Sequence, residues 1–269
     1  MVNQDVSIYI HIPFCRRRCG YCDFNTFSGM DSYIEKYVDA LCQEVRTCAE
    51  ASANPLSVHT IFLGGGTPTV LETKQLDHVL STIDANFQLK NDAEITLEAN
   101  PETVSEQSLV ALRKAGFNRI SFGMQSASRR DLQELDRQHT NNSVRNAVGW
   151  SKTAGFEYIN LDLIYGIPGQ TLKSWRKTLE FALALKVDHY SAYGLTVEDG
   201  TLLKSKIDAG LTKFPDQDLA GAMYEECMQI MHDNHFHQYE ISNWAVKESS
   251  RCRHNLQYWQ YLPYLGFGA

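Results

Sequence analysis

Apolar and polar residues alternate from Ser7 to Ile12, with Ile8, Ile10 and Ile12 on one side and Tyr9 and His11 on the other. That period of two predicts a β-strand. The next regular stretch has a different period: Tyr33, Tyr37, Leu41 and Val45 recur at helical spacing behind Asp31-Ser32, which predicts a helix capped by that pair. Residues 58–63 read as a second strand, and a helix follows over about 73–87 with Leu76, Val79, Leu80 and Ile83 as its inner stripe. The unit then recurs. Strands are predicted at 93–98, 119–123, 158–164 and 189–194. Helices are predicted at 105–115, around 129–135, at 142–154 and from about 172 to 185. Residues 214–233 read as a further helix and 238–241 as a short final strand.

Strands alternating with helices of this length mean βαβ units and a parallel sheet. Six such units without a dinucleotide-binding glycine fingerprint favour a partial (β/α)6 TIM-like barrel over an open doubly wound sheet. The 269 residues suit one such domain, and no composition shift marks a linker, so 1–269 is read as a single domain. The chain ends on Leu265-Gly266-Phe267-Gly268-Ala269, which offers neither a polar tail nor a docking helix. It is therefore read as a C-terminally truncated fragment.

Composition narrows the setting. A net charge of −7 argues against a nucleic-acid footprint over the whole chain. No apolar run approaches the roughly 18 residues of a membrane span, and no signal-peptide pattern opens the chain, so a soluble, cytoplasmic protein is expected. Seven cysteines, three of them in one loop, point to a reducing compartment with metal or redox chemistry rather than a disulfide framework. Cys42, Cys48 and Cys227 read as packing thiols on helices.

The loop is Cys15-Arg16-Arg17-Arg18-Cys19-Gly20-Tyr21-Cys22, launched from the end of the first strand. Three thiols on eight residues suit one inorganic centre. They are too few to close it, so an exchangeable ligand is expected at the open position. Zinc would ask for paired C-x2-C spacing and a fourth ligand close by, and the spacing here is C-x3-C-x2-C. Compact runs of this kind hold iron–sulfur clusters. Gly64-Gly65-Gly66-Thr67-Pro68 ends the second strand in a tight turn, and Glu98 ends the third. Near the end, His254 is followed by Tyr258 and Trp259, an iron ligand beside flat apolar surface. Read alone, such a stretch would normally be a piece of core.

With an aromatic before the last cysteine, this motif resembles the radical S-adenosylmethionine (SAM) superfamily. Tyr9 to Cys15, Gly64 to Pro68, Leu161 to Gln170 and Tyr239 to Asn243 resemble its branch of oxygen-independent coproporphyrinogen III oxidases and HemW heme chaperones. The resemblance implies that Cys15, Cys19 and Cys22 bind three irons of a [4Fe–4S] cluster, whose fourth iron is chelated by SAM. Reduction of that complex cleaves SAM to methionine and a 5′-deoxyadenosyl radical, so an electron donor is implied as well. It further implies SAM binding by Gly65, Gly66, Thr67, Glu98, Gln125, Arg137 and Asp162, with Tyr9 and Tyr21 packed nearby.

Two features divide the branch. The oxidase pattern carries another cysteine two residues after the third, and Phe24 stands there in this chain. His254, Asn255, Tyr258 and Trp259 match the H-N-x-x-Y-W heme-binding motif of the chaperones. The resemblance thus implies a protein that binds heme and passes it to an acceptor protein not identifiable from the sequence, with no catalytic residue assigned. The alternative is an enzyme that oxidatively decarboxylates coproporphyrinogen III.

Overall fold

The computed structural model describes residues 5–52 and 54–268. The strands are β1 Val6–Ile12, β2 Phe14–Cys15, β3 Phe27–Ser28, β4 Ser57–Gly65, β5 Gln88–Ala99, β6 Arg119–Gln125, β7 Tyr158–Tyr165, β8 His189–Gly194, β9 His237–Gln238, β10 Asn243–Ala245 and β11 Tyr264–Phe267. The helices are α1 Ile34–Ala51, α2 Thr73–Asn86, α3 Glu106–Ala115, α4 Arg129–Glu134, α5 Asn141–Ala154, α6 Leu172–Ala184, α7 Leu202–Asp208, α8 Gln217–Asp233 and α9 Arg253–Trp259. The six strands β1, β4, β5, β6, β7 and β8 pair in chain order, all parallel. Strand β11 adds a parallel edge beside β1, and β10 and β9 extend the other edge antiparallel. The two edges do not pair, so the sheet is a partial barrel, as the alternation of strands and helices predicted.

Every barrel strand has two chemically different faces. Toward the helices it is apolar: Ile8, Ile10 and Ile12 of β1, Ile61 and Leu63 of β4, and Leu161 and Leu163 of β7 are fully enclosed or nearly so. The alternate positions carry Ser7, Thr60, Glu94, Thr96, Ser121, Asn160, His189 and Ser191, all buried polar groups. They face the barrel interior, and most of them bond to one another, as in the Ser121 hydroxyl that donates to Asp162 at 2.7 Å and accepts from Asn160 at 2.7 Å; the buried Thr96 hydroxyl has no partner. Helices α3, α5 and α6 begin on Ser105, Thr140 and Thr171. Each of these accepts from the backbone three residues on, and a serine there returns the bond.

The structure differs from the sequence reading in four places. Asp31-Ser32 does not cap a helix: 31–33 is one 3-10 turn, and α1 starts at Ile34 with Ile34, Val38, Leu41, Cys42 and Val45 buried. Tyr33 is exposed, while the Tyr37 hydroxyl donates to the His11 carbonyl at 2.6 Å, so the tyrosines lie beside the stripe. Of the strand expected at 238–241 only Gln238 is in a strand, as the end of β9; a bend at 240–242 leads into β10, where Trp244 is buried. Helices α7 and α9 are additional. The glycine-rich 264–267 stretch is a strand, not an undocked tail, and it covers the β1 edge.

Candidate cofactor cleft

Beyond β1 the chain turns through Pro13, whose carbonyl accepts from Phe27 N–H at 2.7 Å, and the β2–β3 bridge closes the cysteine loop. The loop is held at mid-length too. Gly20 N–H donates to the Leu135 carbonyl at 3.3 Å, and the Gly20 carbonyl accepts from Leu203 N–H at 2.7 Å. Arg17 and Lys206 both reach the Asp136 carboxylate, at 3.2 and 3.3 Å. All three thiols are free and half-buried, and they line one cleft of about 410 Å³. Among the described residues no three His, Cys, Asp or Glu side chains converge on a single ion position. A cluster takes each thiolate on a different iron, so the three thiols need not meet at one point.

The glycine turn after β4 is built against this loop. Gly66 N–H donates to the Ile12 carbonyl and Thr67 N–H to the Phe14 carbonyl, both at 2.8 Å. A Cβ on Gly66 would lie 2.6 Å from the Phe14 oxygen and 2.8 Å from the Ile12 oxygen. Gly65 has φ +105°, and a Cβ there would stand 2.4 Å from the His11 ring. Both positions therefore require glycine before any ligand is considered, and the turn seats the residues leading into Cys15.

Opposite the loop, Thr67 Oγ1 lies 3.6 Å from Cys15 Sγ, and Arg137 Nη1 donates to Cys19 Sγ at 3.4 Å. Burial pushes the Cys15 thiol up, against the Thr67 contact. Glu98 and Asp162 form the acidic floor. Burial, then the Asp162 carboxylate, pushes Glu98 up to about 8, against the Gly65 N–H that donates to it at 3.2 Å. Burial also raises Asp162, against bonds from Ser121, Asn160 and Ser191. Gln125 ends β6 at φ +62°, and its buried Oε1 has no partner, as is true of Arg137 Nε. A cleft with thiols at one wall, two carboxylates on the floor and unspent polar atoms between them suits a cationic, hydrogen-bonding ligand beside a metal cluster.

The barrel interior continues inward as a second pocket of about 150 Å³, which shares Glu98, Ser121, Asp162 and Tyr193 with the cleft. His254, Asn255 and Tyr258 line it. Glu94 places them. Its carboxylate accepts from the backbone N–H of Arg253 at 3.1 Å and His254 at 3.0 Å, capping α9 from a distant strand, and pairs with buried Arg119 at 3.6 Å. The His254 ring stacks on Phe62 with centroids 5.1 Å apart. Because Thr60 Oγ1 donates to Ser7 at 2.7 Å, it accepts from His254 Nδ1 at 2.8 Å, which leaves Nε2 to accept from Tyr258 at 3.1 Å. Burial pushes this imidazole down to about 3, so it is neutral.

The structure thus brings Cys15, Cys19, Cys22, Tyr21, Gly65, Gly66, Thr67, Glu98, Gln125, Arg137 and Asp162 to one cleft. Tyr9 lies apart, in the inner pocket, with its hydroxyl 3.1 Å from His11. Trp259 lines neither space and is exposed at the end of α9. Asn100, Ser121 and Tyr193 line the cleft without having been singled out, and Glu94 positions α9 from below. The signal was present: Ser121, Asn160 and Ser191 are polar at positions that alternate with the apolar face of their strands.

A parallel partial barrel carrying three clustered thiols at its strand ends defines a class, and the comparisons agree. The model of the radical SAM superfamily matches residues 9–182, and the chain belongs to that superfamily and, within it, to the HemW family. The chain is 40% identical over 264 residues to the heme chaperone HemW of Bacillus subtilis, covering 98% of this chain and 69% of that protein. The HemW of Escherichia coli is 37% identical, with 98% and 68% covered. In structure the chain is similar to coproporphyrinogen III oxidase (HemN) from Escherichia coli, a radical SAM enzyme: TM-score 0.84, 28% identity, 92% of this chain and 57% of that one. The superfamily implies a [4Fe–4S] cluster and SAM, and the cleft fits both. Its three free thiols line one cleft with the unpartnered Gln125 oxygen and the Glu98 and Asp162 carboxyl groups, acceptors suited to a donor-rich ligand.

Proposed function

We propose that this chain is a heme chaperone: it holds heme and passes it to an acceptor protein in the cytoplasm, with a [4Fe–4S] cluster and exchangeable SAM in the cleft. The observation that carries the reading is kinship. Proteins named heme chaperone HemW match 98–100% of the chain at 34–40% identity, against 28% for the solved oxidase. The cleft adds to it, since Phe24 stands at its rim, 64% exposed, where the oxidase pattern has a cysteine.

Cys15, Cys19 and Cys22 would hold the cluster. Gly65, Gly66, Thr67, Glu98, Gln125, Arg137 and Asp162 would hold SAM, which supplies one-electron sulfonium cleavage when bound to a cluster reduced by a donor. Heme would sit against Tyr258 and Trp259, both exposed, with Asn255 and His254 behind them. Ligation through His254 Nε2 requires the Tyr258 hydroxyl to swing away from it. Tyr258 is half-exposed and closes the inner pocket, so the ring has room to leave. Anaerobic titration of the reconstituted full-length protein with heme tests this. Saturable binding with a shifted Soret band is expected, and its absence would reject the chaperone reading.

A further inference from the structure

Asn100 follows Glu98 by two residues at the end of β5, outside every motif read in the sequence, and its amide sits between the partners of two cysteines. Arg137 Nη2 donates to Asn100 Oδ1, and Asn100 Nδ2 donates to Thr67 Oγ1 at 3.0 Å. Arg137 Nη1 reaches Cys19 Sγ at 3.4 Å, and Thr67 Oγ1 lies 3.6 Å from Cys15 Sγ.

The directions of these bonds follow from chemistry alone. A guanidinium only donates, so the amide must turn its oxygen to Arg137. That fixes the NH2 group toward Thr67, whose oxygen therefore accepts. The Thr67 hydrogen is then free, and the Cys15 sulfur is the partner left for it. Guanidinium and hydroxyl are both thereby aimed as donors at sulfur. The second Nη2 bond, to the Gly123 carbonyl at 2.7 Å, pins the guanidinium from the far side.

We infer that Asn100 is a positioning residue that orients Thr67 and Arg137 as hydrogen-bond donors to the Cys15 and Cys19 sulfurs and so raises the reduction potential of the cluster they hold. Hydrogen bonds to the sulfurs are among the terms that set such potentials, because they favour the more negative, reduced state. The inference rests on the cluster reading above. Asn100→Asp keeps the acceptor for Arg137 but presents a second oxygen to Thr67, whose hydrogen then turns to the carboxylate and leaves Cys15.

The test is a mediated dithionite titration, followed by electron paramagnetic resonance, of reconstituted wild type, Asn100→Asp, Thr67→Val and the double variant, with iron and sulfide measured on each. Both single variants should shift the potential negative. Thr67→Val should produce its shift in the wild-type background and none in the Asn100→Asp background, which separates the hydroxyl's contribution from the added charge. Equal Thr67→Val shifts in the two backgrounds, or no shift in either, would overturn the inference. Should Asn100→Asp lose its iron, the same comparison is made on Asn100→Ala, where the Thr67→Val shift should shrink and an undiminished one would overturn it. A wild type without iron and sulfide would instead reject the cluster reading, and the inference with it.

Discussion

The Gly65 N–H donates to the Glu98 carboxylate at 3.2 Å, joining the glycine turn to the acidic floor of the cleft. Burial nonetheless holds Glu98 at about 8, well above the ordinary 4.5. Between those values the folded chain keeps a proton that the unfolded chain releases. The group's stabilising contribution is thus full below about pH 4.5 and is lost as the pH rises through about 8. Glu98→Gln should flatten the fall in urea midpoint between about pH 4.5 and about pH 8. Asp162, raised in the same direction, keeps the slope from vanishing. A slope identical to wild type would mean that Glu98 does not carry that proton.

Replacing Cys15, Cys19 or Cys22 with Ser should abolish the iron–sulfur absorbance of the reconstituted protein, because each change would remove one of the three proposed protein ligands. Cys227→Ser serves as the control: that thiol is buried on α8, away from the cleft, and cluster content should stay at the wild-type level. Iron and sulfide analysis reads both. A full cluster signal in any of the three loop variants would refute the ligand assignment.

Gly66→Ala should destabilise the chain by about 1–3 kcal/mol, the usual range for forcing a group into filled space. The new Cβ meets two backbone oxygens, neither of which can rotate away. Because those carbonyls belong to Ile12 and Phe14, the change should also displace the Cys15 end of the loop and lower cluster occupancy. Gly149→Ala, in the middle of α5 with open space at its Cβ, should be neutral or slightly stabilising. Equal denaturation midpoints for the two variants would contradict the account of the turn.

Glu94→Ala should cost about 3–5 kcal/mol by leaving Arg119 charged and buried without its partner. It also removes the cap of α9, so His254 should lose its fixed place. Faster amide hydrogen exchange over 253–259 is the expected mark, and unchanged exchange there would show that α9 is held by other contacts.

His254→Ala should weaken or alter heme binding in a Soret titration while leaving iron and sulfide content intact, since the ring lies in the inner pocket and away from the cysteines. An unchanged spectrum and affinity would assign the iron ligand elsewhere.

Much of this molecule was legible in its sequence because its apolar faces repeat at strand and helix spacing. Ile8, Ile10 and Ile12, or Leu76, Val79, Leu80 and Ile83, can be read as faces with no knowledge of their neighbours. The cysteine spacing and the glycine turn were likewise local. What escaped was long-range. Glu94 caps a helix 159 residues further along the chain, and no local pattern joins it to Arg253. Strand β11 forms only because β1 offers it an edge, so 264–267 alone looks like a loose tail. Asn100 acquires its meaning from Thr67 and Arg137, which the fold brings to it from opposite sides. Tyr33 and Tyr37 misled for another reason: tyrosine satisfies an apolar period while its hydroxyl seeks a surface or a carbonyl.

The measurement that bears most directly on the central claim is one anaerobic incubation of the reconstituted full-length protein with SAM, dithionite, coproporphyrinogen III and heme. Porphyrin products are then resolved, and protein-bound heme is counted after gel filtration. The account predicts heme co-eluting with the protein and coproporphyrinogen III recovered unchanged. Catalytic formation of the vinyl product, with no heme retained, would contradict it and make this chain an oxidase.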